Sequence, residues 1–577
     1  MGKICAYLIA LGLLTFISCR EDDILMTSEE KEAIISNEKT SGNDSTTTKT
    51  DSTKTDSSKV VKADTLRTDT VKTDTLKADS VATDSTAQKT NAFTYYLAPN
   101  GNDTNGDGTA AKPWKSMKYA VSKAQSGHTI HLAAGTYIEE GLISVPIGVS
   151  IEGTDRANTI IKAASSFYYH PTNPEYAPEK FLISLSSPSQ ENGNQLLKNF
   201  TIDGDSKQLH GGIYVHNRTN VTLEGMKVQY TNFTGLWLLD VSNSKVINTQ
   251  LFNCSWGSAS YCAGALNLGN INQVEIAQLE VNENTGYGIK AIGPNGNNQI
   301  TGLKIHDSHI SVNANGLWNS GTAPNIAIEL WKVILKGSEI YNTYVDNTIS
   351  LVNSDNAVAA TGVTGIRVHH NTIDMETRAK GAGYGLELTI HDAEVDHNYF
   401  IKGTQGIANW DNAKKNWNIH HNVFYAIQGE WPGEVLRSQS SGLHSVKFYN
   451  NTIEFAGNKT ANVIGVYGGS SDNLDVKNNL IINSNTSYTF YPNSFVHMEN
   501  GASISNLQVK NNFLNNMDLG SVSGGAYLGN LTGDPKIKKT GTRPTAYYTP
   551  ITGSPLINAG LSIVTSLTNS STNIGAY

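Results

Sequence analysis

From Val368 to Asn512 the apolar and polar positions of the chain return as one short phrase. It reads Val368-His369-His370-Asn371, Val395-Asp396-His397-Asn398 and Ile419-His420-His421-Asn422, then Phe448-Tyr449-Asn450-Asn451, Val476-Lys477-Asn478-Asn479 and Val509-Lys510-Asn511-Asn512. An apolar residue stands two places after each final Asn, at Ile373, Phe400, Phe424, Ile453, Ile481 and Leu514. Successive copies are offset by 27, 24, 29, 28 and 33 residues, too long for heptads and too irregular for helical-pair repeats. The spacing predicts a β-solenoid whose coils share one turn and vary the others. A single coil is too thin to bury a face, so each is stabilised by stacking on its neighbours.

The choice of Asn has a physical reason. A bend between strands needs a residue that tolerates left-handed backbone angles and whose side chain bonds local backbone. When identical bends stack at the strand spacing of roughly 4.8 Å, Asn side chains also bond from coil to coil.

Upstream of each phrase lies a second strand, often opened by Gly: Gly212–Val215, Gly235–Leu238, Gly288–Ala291, Ile326–Trp331, Ile349–Leu351, Gly385–Thr389, Gly406–Trp410 and Val463–Tyr467. Strand alternation sends Ile328, Leu330, Leu386 and Leu388 inward and Glu329, Trp331, Glu387 and Thr389 outward. The outer face of this one sheet is therefore expected to carry Tyr214, Trp237, Lys290, Glu329, Trp331, Glu387, Trp410 and Tyr467. Before the repeats, Val221-Thr222-Leu223, Val246-Ile247, Val274-Glu275-Ile276 and Val333-Ile334-Leu335 carry the same strand without the Asn, and Leu303-Lys304-Ile305 is a weaker member.

These features resemble the right-handed parallel β-helix, the pectate-lyase-like superfold of secreted carbohydrate-active proteins, over roughly residues 93 to 577. The class this implies is all-β: a single-stranded right-handed parallel β-helix with a short N-terminal capping helix. The handedness also follows from the rule for parallel crossovers. Tyr95 onward, with Gly135-Thr136-Tyr137, resembles the opening of such proteins. Trp114, Met117, Val121 and Ala124 lie near helical spacing and predict a helix within Pro113–Ala124 that covers the first coil. Gly533-Asp534-Pro535 through Ile574-Gly575-Ala576-Tyr577 resembles a terminal coil and is expected to seal the second open edge. Asp103 to Gly108 is similar to the first half of a calcium loop, but Trp114 stands where the closing Glu belongs, so a polar turn is expected.

Residues 1–18 combine a basic Lys3 with an apolar run from Ile4 to Ile17, a signal peptide too short for a confident membrane span. Phe16-Ile17-Ser18-Cys19 resembles a bacterial lipobox, which implies lipidation of Cys19. The acidic Arg20-Glu21-Asp22-Asp23 resembles a surface-export signal, so the expected location is the outer membrane, lipid-anchored and facing the cell exterior. Residues 19–92 are then anchor and linker. Its Ser, Thr, Asp and Lys cannot bury enough apolar surface to fold. A pentad within it, from Asp64-Thr65 to Asp84-Ser85, resembles a bacterial O-glycosylation site. Residues 93–577 form one solenoid domain, expected to be monomeric. The formal charge of −8 gives no basic field for nucleic acid. Cys254 and Cys262 flank a Gly/Ser-rich insertion and are placed to close a loop disulfide outside the cytoplasm.

The candidate chemistry sits on the upstream sheet. Open rings offer platforms to sugar faces. Glu329 and Glu387 are two coils apart, roughly 9–10 Å between backbones, which suits the roughly 6.5–9.5 Å carboxyl separation of an inverting glycosidase. His391-Asp392 follows Glu387 and is placed to orient or replace a catalytic carboxylate, or to serve only as a turn. His370, His397 and His421 are expected to stack at the bend, with a metal there as the alternative. Hydrolysis needs no cofactor. A rival reading is β-elimination on a uronate-containing polysaccharide, with Lys290, Lys332 or Arg437 as base and Ca2+ as the cofactor a lyase would use. The chain lacks the Arg-x-Pro-x-x-Arg run of one pectate-lyase family. A third reading is a non-catalytic glycan binder using Trp237, Trp331 and Trp410. In each case the partner is a polysaccharide.

Overall fold

The structure, a computed structural model, describes residues 93–169, 177–255, 263–284, 286–291, 298–312, 326–353, 365–376, 383–410, 415–427, 433–456, 461–484, 495–562 and 573–576. The signal segment, Cys19 and the linker lie outside these residues. So does Cys262, and with it the Cys254–Cys262 bridge; Cys254 itself is buried, its sulfur 3.1 Å from the Val228 carbonyl oxygen.

Among the described residues the strands form sheets of 28 and 15, and the pairings between them run parallel. One coil shows the plan: Tyr384–Thr389, Ala393–Asp396 and Tyr399–Ile401 lie on three successive faces, and the next coil repeats them as Gln405–Asn409, Lys415–His420 and Val423–Tyr425. We refer to these as the upstream, repeat and third faces. The long strands Phe181–Lys198, Leu209–Glu224 and Ile326–Lys336 bend from the upstream face into the repeat face, which joins those two into the larger sheet. The chain is a right-handed parallel β-helix.

The interior follows from alternation. Ile289, Ile328, Ile349, Leu386, Ile407, Leu436 and Ile464 are paired coil to coil and fully buried. On the third face Phe400 and Phe424 stack at 4.6 Å.

The repeated bend divides its work between two residues. The position before each final Asn takes the left-handed conformation, from His370 at φ 56° to Asn511 at φ 52°. The final Asn points along the axis instead and forms a ladder. Asn371 Nδ2 donates to Asn398 Oδ1 at 3.0 Å, Asn398 to Asn422 at 2.9 Å, and Asn422 to Asn451 at 3.0 Å. The series continues through Asn479 and Asn512 to Asn530. Each Oδ1 also accepts a backbone N–H of the previous coil, as Asn451 Oδ1 does from Asn422 at 3.0 Å. These amides are buried and must be paired, so the ladder locks the register of every coil it crosses.

At the N-terminal end a helix over Met117–Lys123 covers the first coil with Met117, Ala120 and Val121. Ser116 caps it, and the buried Glu139 carboxylate accepts from the Met117 and Lys118 amides at 2.6 and 3.2 Å. The Asp103–Gly108 segment is a polar turn in which Asp103 accepts from the Lys115 and Ser116 amides. The C-terminal segment departs from expectation. It packs Ile537, Tyr548, Leu556 and Ile574 against Val423, Leu480, Ile482 and Phe513, the outward apolar residues of the third face. Arg543 and Tyr548 clamp the buried Glu454 at 2.9 and 2.6 Å. Burying those apolar side chains draws the segment back along the wall.

Candidate functional site

Parallel pairing carries side chains of one orientation into a column, and the upstream face has such a column. Trp237 pairs with Asn267, Asn267 with Lys290, Lys290 with Glu329, Glu329 with Ser350, and Ser350 with Glu387. It continues through Ala408, Arg437 and Gly465 to His497. Glu329 and Glu387 therefore share one column with a single coil between them.

The two carboxylates have different surroundings. Glu329 is 2% exposed, and the Lys290 ammonium lies 3.2 Å from its Oε2. Tyr287 opens the Lys290 strand, bonds Glu329 and receives the Lys290 ammonium over its ring at 4.3 Å. Burial, with Glu329 next in weight, holds the Tyr287 phenol well above its ordinary value, so it stays a donor. Glu387 is half-buried and accepts the Ser350 hydroxyl at 2.5 Å.

Beyond Glu387 the column passes through the fully buried Ala408 to Arg437. Arg437 is held on several sides. Its Nε and Nη2 donate to Gln439 Oε1 at 3.0 and 2.6 Å, and its Nη1 donates to Glu434 Oε2 at 2.9 Å. The Tyr467 ring lies 4.0 Å from its guanidinium carbon and the Trp410 ring 5.8 Å. Glu434 is fully buried and also accepts the Tyr467 hydroxyl at 2.5 Å. Burial raises the Glu434 carboxyl above its ordinary value even though Arg437 and Tyr467 pull it down. The same environment raises the Tyr467 phenol.

Sequence reasoning misses Tyr287, Tyr384, Gln405 and Glu434. These strand-opening residues pair in series from Tyr384 to Glu434 and share the parity of interior positions, yet they lie beside the column. The available signal is glycine. A Cβ on Gly465 would come 2.6 Å from Glu434 Cγ, so the outward position opposite is left bare for this side chain.

The expected open platform is only partly present. Tyr214 and Trp237 are in the upstream column but just 2% exposed, packed with Phe181, Phe233, Leu239 and Ala263. They form a satellite core, because neighbouring rings from the same and earlier coils close over them. Lys290 is likewise buried, its charge met by Glu329. Trp331, Trp410 and Tyr467 remain half-buried, and Lys332 Nζ lies 4.7 Å from the Trp331 ring. His391 and Asp392 form the corner after the Glu387 strand. Asp392 takes φ 58°, and its carboxylate accepts from Asn416 of the next coil at 2.7 Å.

Among the described residues the two carboxylates of this column are two coil steps apart, one faced by an ammonium and the other by a hydroxyl, whereas calcium takes six to eight converging oxygens.

On the repeat face, the bend rings of His370, His397 and His421 stack at 4.8 and 5.1 Å, nearly parallel, as expected. Beside them Asp396 accepts from Arg367 at two 2.7 Å contacts, and His420 Nε2 lies 3.1 Å from Glu394.

Residues 99–321 match the family described as Protein of unknown function (DUF1565). No curated protein matches the chain. Solved structures of similar fold include a tailspike protein of E. coli bacteriophage HK620 in complex with a pentasaccharide, with 14% identity, 74% of this chain and 77% of that chain covered, and a TM-score of 0.49. The pectate lyase Pel9A shares 13% identity, with 84% and 96% covered and a TM-score of 0.28. The catalytic domain of a GH87 alpha-1,3-glucanase in complex with tetrasaccharides shares 12%, with 68% of each chain covered and a TM-score of 0.37. The strand pairings above are what establish the β-helix fold of this chain.

Proposed function

We propose that this protein cleaves glycosidic bonds of an extracellular polysaccharide by hydrolysis, held at the outer membrane by a lipid on Cys19. The observation that carries the chemistry is the Glu329–Ser350–Glu387 register. Two coil steps separate the two backbones by roughly 9–10 Å, on the scale of an inverting pair, with Ser350 in the coil between. Glu329, with an ammonium 3.2 Å away, suits the carboxylate that takes a proton from that water. Glu387, in its protonated form, gives its proton to the leaving oxygen as the glycosidic bond breaks, with Ser350 fixing its orientation. Arg437 stands further along the column, and with Trp331 and Trp410 it suits the sugars on either side.

The test is turnover by Glu329→Gln and Glu387→Gln on a panel of plant, algal and host glycans. General acid and base groups contribute roughly 10²–10⁴-fold each, so both variants should lose turnover on that scale while Glu387→Gln keeps binding. Unchanged turnover removes the pair. Binding without turnover by the wild type would make the protein a glycan-binding one.

One observation favours a second reading. Lys290 stands in the same column beside a phenol that stays protonated. A lysine base and a tyrosine acid are the parts of a β-elimination, and its product carries an unsaturated end that absorbs in the ultraviolet.

A further inference from the structure

The repeat face lies apart from the glycan column and gathers five of the chain's histidines on three adjacent coils: His369, His370, His397, His420 and His421. His420 Nε2 lies 3.1 Å from the Glu394 carboxylate, and its Nδ1 lies 2.9 Å from His421 Nδ1. His397 Nδ1 donates to Asp396 Oδ2 at 2.8 Å, because the carboxylate can only accept. His370 Nδ1 sits 2.9 Å from His369 Nδ1.

The three bend histidines stand in a row at the coil spacing. Rings 370 and 397 are stacked at 4.8 Å with 2° between planes, and rings 397 and 421 at 5.1 Å with 6°. His370 and His397 are exposed. A nitrogen of each of these two and an Asp396 oxygen lie within 4.8 Å of one another. Asp396 is fully buried and anchored by Arg367, so it holds the His397 ring as carboxylates hold metal-ligating imidazoles elsewhere.

We infer that His370 and His397, on adjacent coils beside Asp396, form a surface site for a borderline divalent transition metal such as Zn2+. Imidazole donors select zinc, copper or nickel over calcium and magnesium. The ion would bridge two adjacent coils at the bend, with the His397 ring oriented by Asp396.

The chain itself supplies a conservative test. In the coils that follow, the bend position is Asn450, Asn478 and Asn511, in the same left-handed conformation. The variant His370→Asn/His397→Asn/His421→Asn therefore keeps the bend and removes the donors. Calorimetric titration of the full chain with ZnCl2 should show one saturable site in the wild type, weakened in this variant by more than the roughly 10–100-fold that loss of an outer partner costs. CaCl2 should give no such site. The single variant His397→Asn should weaken zinc by the same criterion, and circular dichroism should report an unchanged fold for it. No zinc site in the wild type, or an unchanged one in the single and triple variants, overturns the inference.

Discussion

Glu329 and Glu387 lie in one outward column of the upstream face, each paired with Ser350 of the coil between them. The spacing of strands in a parallel sheet then dictates what the two acids can do. One coil step would set carboxyls at the separation of a retaining pair, roughly 5–5.5 Å, and two steps suit an inverting one. Products should therefore leave with inverted anomeric configuration, read by proton nuclear magnetic resonance during the first turnovers. Retained configuration would remove the two-coil pair as acid and base.

Aromatic residues of this face should separate into two classes. Trp237 is 2% exposed within the Phe181–Phe233 cluster, and truncating it to Ala should destabilise the fold by about 3–5 kcal/mol. Trp410 is half-buried beside Arg437. Its Ala variant should melt near the wild-type temperature but bind oligosaccharide more weakly. Calorimetry of each variant with and without glycan makes the comparison. Equal loss of stability in both would contradict the assignment.

The Asn ladder should be costly to interrupt. Asn422 Nδ2 donates to Val395 O, His420 O and Asn451 Oδ1, and its Oδ1 accepts from the Asn398 amide and side chain. Asn422→Ala leaves several buried groups without partners, at about 1–3 kcal/mol each. A fall in melting temperature larger than that of His421→Asn, measured side by side, is the expected result.

Stability should also depend on pH in a set direction. Burial is the main cause that lowers His421 to about 3 and His369 to about 4. In the unfolded chain both titrate near 6.5. Between these values the unfolded state binds more protons than the folded one, so stability rises with pH across that window and is lost as pH falls from about 6.5 towards 4. His421→Asn should flatten the slope of denaturation midpoint against pH in this interval, and an unchanged slope would contradict it.

Much of this was legible from the residues because a solenoid imposes one constraint many times. The phrase ending in Asn371, Asn398 and Asn422 marks the bend, and the Gly-opened apolar strands fix which parity faces in, so Glu329, Ser350 and Glu387 fall into register. The division of labour within the bend was less visible. Asn is read as the residue of left-handed conformation, whereas His370, His397 and His421 adopt it and the Asn bonds along the axis. What covers a side chain was not legible. Phe181 and Phe233 close over Trp237 from separate strands, and no local pattern announces that. Glu434 escaped for a different reason: alternation breaks where a strand leaves a corner, so its interior parity misled. The C-terminal segment was read as a cap because an open edge demands one. The apolar outward positions Val423, Leu480 and Phe513 offered it a larger surface.

The most direct measurement is cleavage of a glycan substrate in water enriched in oxygen-18, followed by mass spectrometry of the products. Hydrolysis by the Glu329–Glu387 pair predicts one heavy oxygen at each new reducing end, with that signal abolished in Glu329→Gln and Glu387→Gln. Unlabelled, unsaturated ends, or labelled ends that persist in both variants, would contradict it.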